Sequence, residues 1–237
     1  ILFSSRIPRT ISILLSGSSL ALAGLVMQQM MQNKFVSPTT AGTMEWAKLG
    51  ILLSLIFFPK GHILIKLTFA VALSLGGTFL FVKLINFIKV KEVIFVPLLG
   101  IMIGGIVSSF TTFIALRTNA LQSINNWLNG NFAVITSGRY EILYLAIPLL
   151  IIAYIFANHF TIAGMGKDFS HNLGVKYEQI INIALLITAT LTALVVVTVG
   201  TLPFLGLIVP NIISMYRGDH LKNALPHTLM LGSIFVL

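Results

Sequence analysis

The chain has 237 residues, 57% of them hydrophobic and only 9% charged, with a mean hydropathy of +0.98. Soluble domains carry roughly 25% charged residues, so a water-facing surface could not be covered here; the solvent is lipid and the chain reads as a polytopic membrane protein. The formal charge of +9 sits at the ends of apolar runs rather than on a basic stripe interleaved with aromatics, which argues against nucleic acid as a partner, and the lack of cysteine excludes disulfides, thiolate metal sites and cysteine nucleophiles.

Thr10–Met31 is the first apolar run, preceded by Arg6 and Arg9 and followed by Gln32-Asn33-Lys34. At about 1.5 Å per residue it is long enough to cross a bilayer as a helix. Ala41–Phe58, Leu67–Ile88 and Val93–Leu116 are the next three runs. A polar stretch, Thr118–Arg139, leads to a fifth span over Glu141–Ala157. A second polar stretch, Asn158–Glu178, leads to a sixth over Gln179–Val199. Gly200–Leu225 is mixed in character, and Pro226 opens a seventh run that is too short to cross; Ile1–Ser5 reads as the inside of a larger protein, so both ends look cut. Helices are expected throughout, because in lipid only a helix or a closed barrel satisfies its own backbone, and barrel strands are shorter and alternate in polarity. Gly76-Gly77 and Gly100 with Gly104-Gly105 offer small residues for close helix approach.

Setting Arg6 and Arg9 outside places Lys34, Lys83, Lys89, Lys91, Lys167 and Lys176 inside. The outer set is then Arg6, Arg9, Lys60, Lys66, Arg117, Arg139, Arg217 and Lys222, and the positive-inside rule does not decide between the two faces. On this reading all five arginines share one face. Arginine pairs carboxylates bidentately, so that face is a candidate docking surface.

Four segments carry a resemblance. They are Arg6-Ile7-Pro8-Arg9 with Gly17–Gly24 and Met27–Gln29; Asn33–Pro38 (NKFVSP) with Thr39–Gly42; Gly166–Val175 (GKDFSHNLGV); and Phe204–Gly218 (FLGLIVPNIISMYRG). In this order and spacing the chain resembles the FecCD family of permeases, which serve iron–siderophore, haem and vitamin B12 importers. Lys34 and Phe35 stand where that family usually has Pro-Leu, and Asp168 and Ser170 stand at its Glu and Ala positions. The run NKFVSPTTAGTMEWAKLG looks most like the branch handling catecholate-type siderophores.

The resemblance implies an all-α multi-span helical bundle of the type II ABC importer permease (vitamin B12 importer-like) type. It implies a single transmembrane permease domain over 1–237, with six full spans and part of a seventh here and ten in the intact subunit. It also implies ATP-binding ABC ATPase subunits below, an extracytoplasmic substrate-binding lipoprotein above, and a second permease subunit, identical or a paralogue, in the cytoplasmic membrane. Arg6 and Arg9 would receive acidic side chains of the binding protein; headgroup anchoring is the plainer account of them. Gly166, Lys167, Asp168, Phe169, Leu173 and Gly174 would belong to the coupling helix, with Phe169, Leu173 and Val175 entering a groove of the ATPase and Lys167, Asp168 and His171 at its rim; a solvated loop is the alternative. Asn33 and Pro38 sit where the family has a cytoplasmic gate, and a helix cap would explain Asn33 equally well.

Glu45 and Lys48, three residues apart in one apolar run, read either as a structural ion pair or as lining of the pathway. Gly166-Lys167 is no phosphate loop, because Thr161 and Asp168 occupy the Gly and Ser/Thr positions such a loop needs. His159, His171, His220 and His227 lack metal-ligand spacing, so neither a metal nor a cofactor is expected. The function these readings converge on is a permease translocating an iron(III)–siderophore complex by alternating access, without bond chemistry of its own. A haem or cobalamin permease is the alternative within the family. An ion-coupled secondary transporter, with Glu45–Lys48 as its mid-membrane charges, and a membrane-embedded enzyme are the alternatives outside it.

Overall fold

The computed structural model describes residues 5–88, 93–135, 138 and 140–237. Lys89, Lys91 and Arg139 lie outside the described residues. The architecture is helical: α1 Ile7–Met30, α2 Thr43–Phe57, α3 Ile63–Ile88, α4 Phe95–Arg117, α5 Leu121–Leu128, α6 Ala146–Ile155, α7 Ala157–Ala163, α8 Lys167–Asn172, α9 Tyr177–Thr198, α10 Leu205–Arg217 and α11 Leu221–Val236. Short 3-10 turns cover Phe132–Val134 and Tyr140–Leu145.

Among the described residues, helices α1, α3, α4 and α9 are long and apolar enough to cross a membrane, and Tyr140–Ile155 with Ala157–Ala163, bent by 59°, makes a fifth where the bent pair counts as one span. At 15 residues α2 is shorter than the run Ala41–Phe58 suggested, and it covers only about 22 Å. The loop before it makes up the depth. Asn33, Val36, Ser37, Pro38, Thr40 and Ala41 are buried, which is how non-helical backbone is tolerated at membrane depth. Helices α1 and α9 are buried along most of their length, whereas α3 and α4 are buried along a third or less. The first pair is therefore the core, and the second leaves apolar faces exposed.

Small residues set the closest approaches. A Cβ on Gly24 would fall inside the backbone of Gly206, and one on Gly17 would meet the carbonyl of Gly232, so α1 runs against α10 and α11 backbone to backbone. Of the glycines singled out in the sequence, Gly77 lies under the Trp46 ring, Gly100 against Thr40 and Ala41, and Gly104 beside Gly42. Gly76 and Gly105 face open space.

Two expectations need correction. Pro226 does not open the last helix; it lies inside α11, which starts at Leu221, and removes one backbone donor there. The mixed stretch from Gly200 contains α10, a 13-residue helix with Pro210 inside it. That helix descends from the level of Leu20 and Gly24 to Lys34, where Asn211 Nδ2 donates to the Lys34 carbonyl at 2.9 Å. Lys34 Nζ pairs with Asp219 at 3.1 Å. At the turn into α11 the Leu221 amide donates to Thr161 Oγ1 at 3.2 Å. Arg217 and Lys222 therefore lie at the Lys34 end of the bundle, and the arginines do not share one face.

Arg9 and Lys66 remain at the opposite end. Arg9 bonds the 132–134 turn, Lys66 stands over the Trp127 ring at 4.9 Å, and Trp127 Nε1 donates to the Val197 carbonyl at 2.8 Å.

Candidate functional site

At the Lys34 end, three segments close around a cavity of about 460 Å³. One wall is the loop after α1, with Gln32, Asn33 and Lys34. Another is the α7–α8 junction, with Gly164 and Met165, and the third is the α10–α11 turn, with Gly218, Asp219 and His220. Leu25 and Met165 share the lining with the amides of Gln28, Gln29 and Gln32 and the Lys34–Asp219 pair, so it is a crevice between segments and not a packed core.

The loop is held on both flanks. Asn33 is buried; its Nδ2 donates to the Val93 carbonyl at 2.6 Å just before α4, and its Oδ1 accepts from the Phe35 amide at 2.9 Å. The Asn33 amide donates to the Gln28 carbonyl at 3.0 Å after the positive-φ Gln32, so Asn33 closes the α1 C-terminus through its backbone and ties the loop to α4 through its side chain. On the other flank Lys34 reaches Asp219 and Asn211 reaches the Lys34 carbonyl. Pro38 is buried against the start of α10 beside Gly206. The loop thus bridges α4 and α10, two elements that any change in helix packing would move.

The segment Gly166–Val175 folds as expected into a short helix, α8, between two glycines with positive φ, Gly166 at +108° and Gly174 at +72°. Glycine enters that backbone region without the Cβ penalty that other residues meet there. Ser170 is fully buried, and its hydroxyl donates to the carbonyls of Ile162 and Gly166 at 3.1 and 2.8 Å, which pins α8 against α7. Phe169 and Leu173 are half exposed, at 48% and 55%. Val175 differs from expectation: it packs against the protein's own core near the start of α9 and does not extend the exposed apolar patch. Lys167 pairs with Glu178 at 3.0 Å across the α8–α9 turn, and Asp168 and His171 are exposed beside it.

The α7 end is pressed onto α1, because a Cβ at Gly164 would strike the Gln29 amide. Contacts therefore run from α8 through Ser170 and Gly164 to the end of α1 and its loop.

At the opposite end Arg6 and Arg9 are exposed on either side of buried Pro8. Arg9 donates to the carbonyls of Phe132 and Ala133 at 3.3 and 3.4 Å. Glu45 and Lys48 form an ion pair of 2.6 Å within α2, each side chain 22% exposed. They are one helical turn apart on one face, so the spacing in the sequence reports the contact.

Sequence reasoning missed Asn211, Asp219, Gly164 and the anchoring role of Ser170. Asn211 follows Pro210 inside the resembling Phe204–Gly218 segment, which was the one available signal. Among the described residues no three His, Asp or Glu side chains gather as a metal site. Glu141, which accepts from the Gly138 amide at 2.7 Å, lies in the turn after the 132–134 segment and away from Glu45.

The sequence matches the FecCD transport family over residues 1–237, and the chain belongs to that family as a multi-pass membrane protein. It is 56% identical to the petrobactin import system permease protein YclN of Bacillus subtilis, over all of this chain and 75% of that one. It is 41% identical to the petrobactin import system permease protein FatD of Bacillus anthracis, over 97% of this chain and 69% of the relative. A ferric-anguibactin transport permease of Vibrio anguillarum is 36% identical over 100% of this chain and 75% of its own. The fold is similar to an inward-facing structure of a transporter assigned to the metal-chelate ABC type, with a TM-score of 0.83 at 22% identity, covering 100% of this chain and 76% of that one. It is also similar to PsaBC from Streptococcus pneumoniae, with a TM-score of 0.71 at 15% identity, covering 95% and 78%.

Proposed function

We propose that the chain is the membrane-spanning permease subunit of an ABC importer that carries an iron(III)–siderophore complex across the cytoplasmic membrane by alternating access. The petrobactin and anguibactin permeases similar to it over nearly its whole length support this cargo class. The observation that carries the mechanism is α8. A short helix with two exposed apolar side chains, fixed by a buried serine to a helix that bears on α1, is built to take force from another protein. Partner ATPase subunits grip Phe169 and Leu173, and their motion passes through α7 and Gln29 to the loop of Asn33 and Pro38, which gates the inner mouth.

The binding protein docks at the opposite face, where Arg6 and Arg9 steer its carboxylates. A second permease subunit covers α4, whose Ile106, Phe110 and Phe113 are exposed. ATP binding and hydrolysis in the partner shift the populations of outward- and inward-open states, and this chain makes and breaks no covalent bonds.

The test is reconstitution of the importer in proteoliposomes with its ATPase and binding protein. ATP-dependent accumulation of radio-iron offered as a petrobactin-type chelate is the expected result. Accumulation that follows an ion gradient and ignores ATP would replace this reading with secondary transport.

A further inference from the structure

Three ion pairs occur among the described residues, and Glu45–Lys48 is the one contained within a single helix. Its depth is fixed by two contacts. Thr43 Oγ1 and Thr78 Oγ1 of α3 are 2.8 Å apart on one side of it, and Gly50 lies against the backbone of Phe69 and Ala70 on the other. Both neighbours are well inside α3, so the pair sits at membrane depth and not among headgroups.

Each side chain is 22% exposed, yet Glu45 Oε2 is itself buried and has no hydrogen-bond partner among the described residues. Packing does not explain such a pair, since replacing a buried ion pair by apolar side chains is often neutral or stabilising. Three surroundings could meet the exposed part. Lipid costs about 2.5–3.5 kcal/mol for a charged side chain at mid-membrane. Protein that supplied no acceptor would leave Lys48 donors unsatisfied, at about 1–3 kcal/mol, since Glu45 Oε1 takes only one of the three. Water avoids both penalties at the exposed part, while Oε2 is enclosed by this chain itself and is reached by none of the three surroundings.

We infer that the Glu45–Lys48 pair opens onto the water-filled translocation path, and that Lys48 is the cation past which a negatively charged iron chelate moves. The cargo half of this rests on the importer reading above. An ammonium has three donors, and Glu45 Oε1 takes one. The remaining donors serve chelate oxygens as the cargo passes. Between cargoes Glu45 keeps the charge compensated, so no unpaired cation is left at depth. A shared lysine holds an anion loosely, and a pathway needs binding weak enough to release.

The test uses the absence of native cysteine. Lys48→Cys is built in the assembled importer in nanodiscs, alongside Glu45→Gln/Lys48→Cys in case an unpaired Glu45 disturbs folding. Water-soluble methanethiosulfonates should modify position 48 at least about tenfold faster than Ala47→Cys, a fully buried neighbour, in one or both nucleotide states, and saturating ferric chelate should slow the reaction by a similar factor. Lys48→Gln should cut uptake of an anionic chelate about tenfold, the scale of one lost charged hydrogen bond, with Lys48→Arg restoring most of it.

Modification of both position-48 variants as slow as that of position 47, in every nucleotide state, would show that protein or lipid covers the pair and would overturn the inference. Modification that a transported chelate does not slow would remove Lys48 from the cargo's route. Failure of the wild-type importer to carry any iron chelate would sink the cargo reading alone and leave the accessibility result standing, so the two failures are separable.

Discussion

Arg9 and Arg6 look equivalent in the sequence, three residues apart around Pro8, but hydrogen bonding divides their tasks. Arg9 spends donors on the carbonyls of Phe132 and Ala133, while Arg6 is exposed. A guanidinium has five donors, so Arg9 can tether this turn and still meet a carboxylate. We predict that Arg6→Glu weakens binding-protein association and flattens its salt dependence, mostly through the on-rate, without changing thermal stability. Arg9→Glu should do the same and also lower the melting midpoint, because the 132–134 turn loses its anchor. Surface plasmon resonance at two salt concentrations, with scanning fluorimetry, separates the two. Unchanged affinity and salt slope for Arg6→Glu would remove the docking role. At this scale the sequence was informative where a contact is local, as for Glu45–Lys48. It was silent where a contact is remote: Asn211 reaches a carbonyl 177 positions away, and no spacing rule reveals that.

At the scale of elements, α8 and the α1–α10 crossing each make a sharp demand. Truncating an interface anchor costs more than about 1–2 kcal/mol, whereas rim charges matter less. Phe169→Ala/Leu173→Ala should therefore abolish ATP-driven uptake and release the ATPase during purification, and Lys167→Ala should be mild, since it loses only an exposed pair with Glu178. Both anchors are half exposed in the chain itself, so folding should survive. Normal uptake by the double variant with the ATPase still co-purifying would cancel the coupling role. The crossing is tested by a matched pair of alanines. Gly24→Ala puts a Cβ into the Gly206 backbone and should destabilise by about 1–3 kcal/mol, read as a lower melting midpoint. Gly105→Ala meets nothing within 4 Å and should be neutral or slightly stabilising. The long apolar runs made α1, α3, α4 and α9 legible. Helix α10 was not, because 13 residues interrupted by Pro210 and Asn211 carry too little apolar length to register as a crossing.

That one missed element changes the whole molecule's sidedness. With α10 descending to Lys34, the described cations at the Lys34 end are Lys34, Lys83, Lys167, Lys176, Arg217 and Lys222; those at the other end are Arg6, Arg9, Lys60, Lys66 and Arg117. Six against five still gives the positive-inside rule little to work with. Orientation has to come from chemistry. Positions 83, 125 and 222 are exposed, and the chain has no thiol of its own, so Lys83→Cys, Asn125→Cys and Lys222→Cys each report one location. In intact cells a membrane-impermeant maleimide should label position 125 and spare 83 and 222, and in inside-out vesicles the pattern should reverse. Labelling of 83 and 222 with 125 spared would invert the topology while keeping the fold. Labelling of 222 together with 125 would mean that α10 does not cross, which would break the Lys34–Asp219 contact and the cavity it closes. Position 222 is thus the most informative of the three, because it is where the run of hydropathy and the packing of the helices give opposite answers.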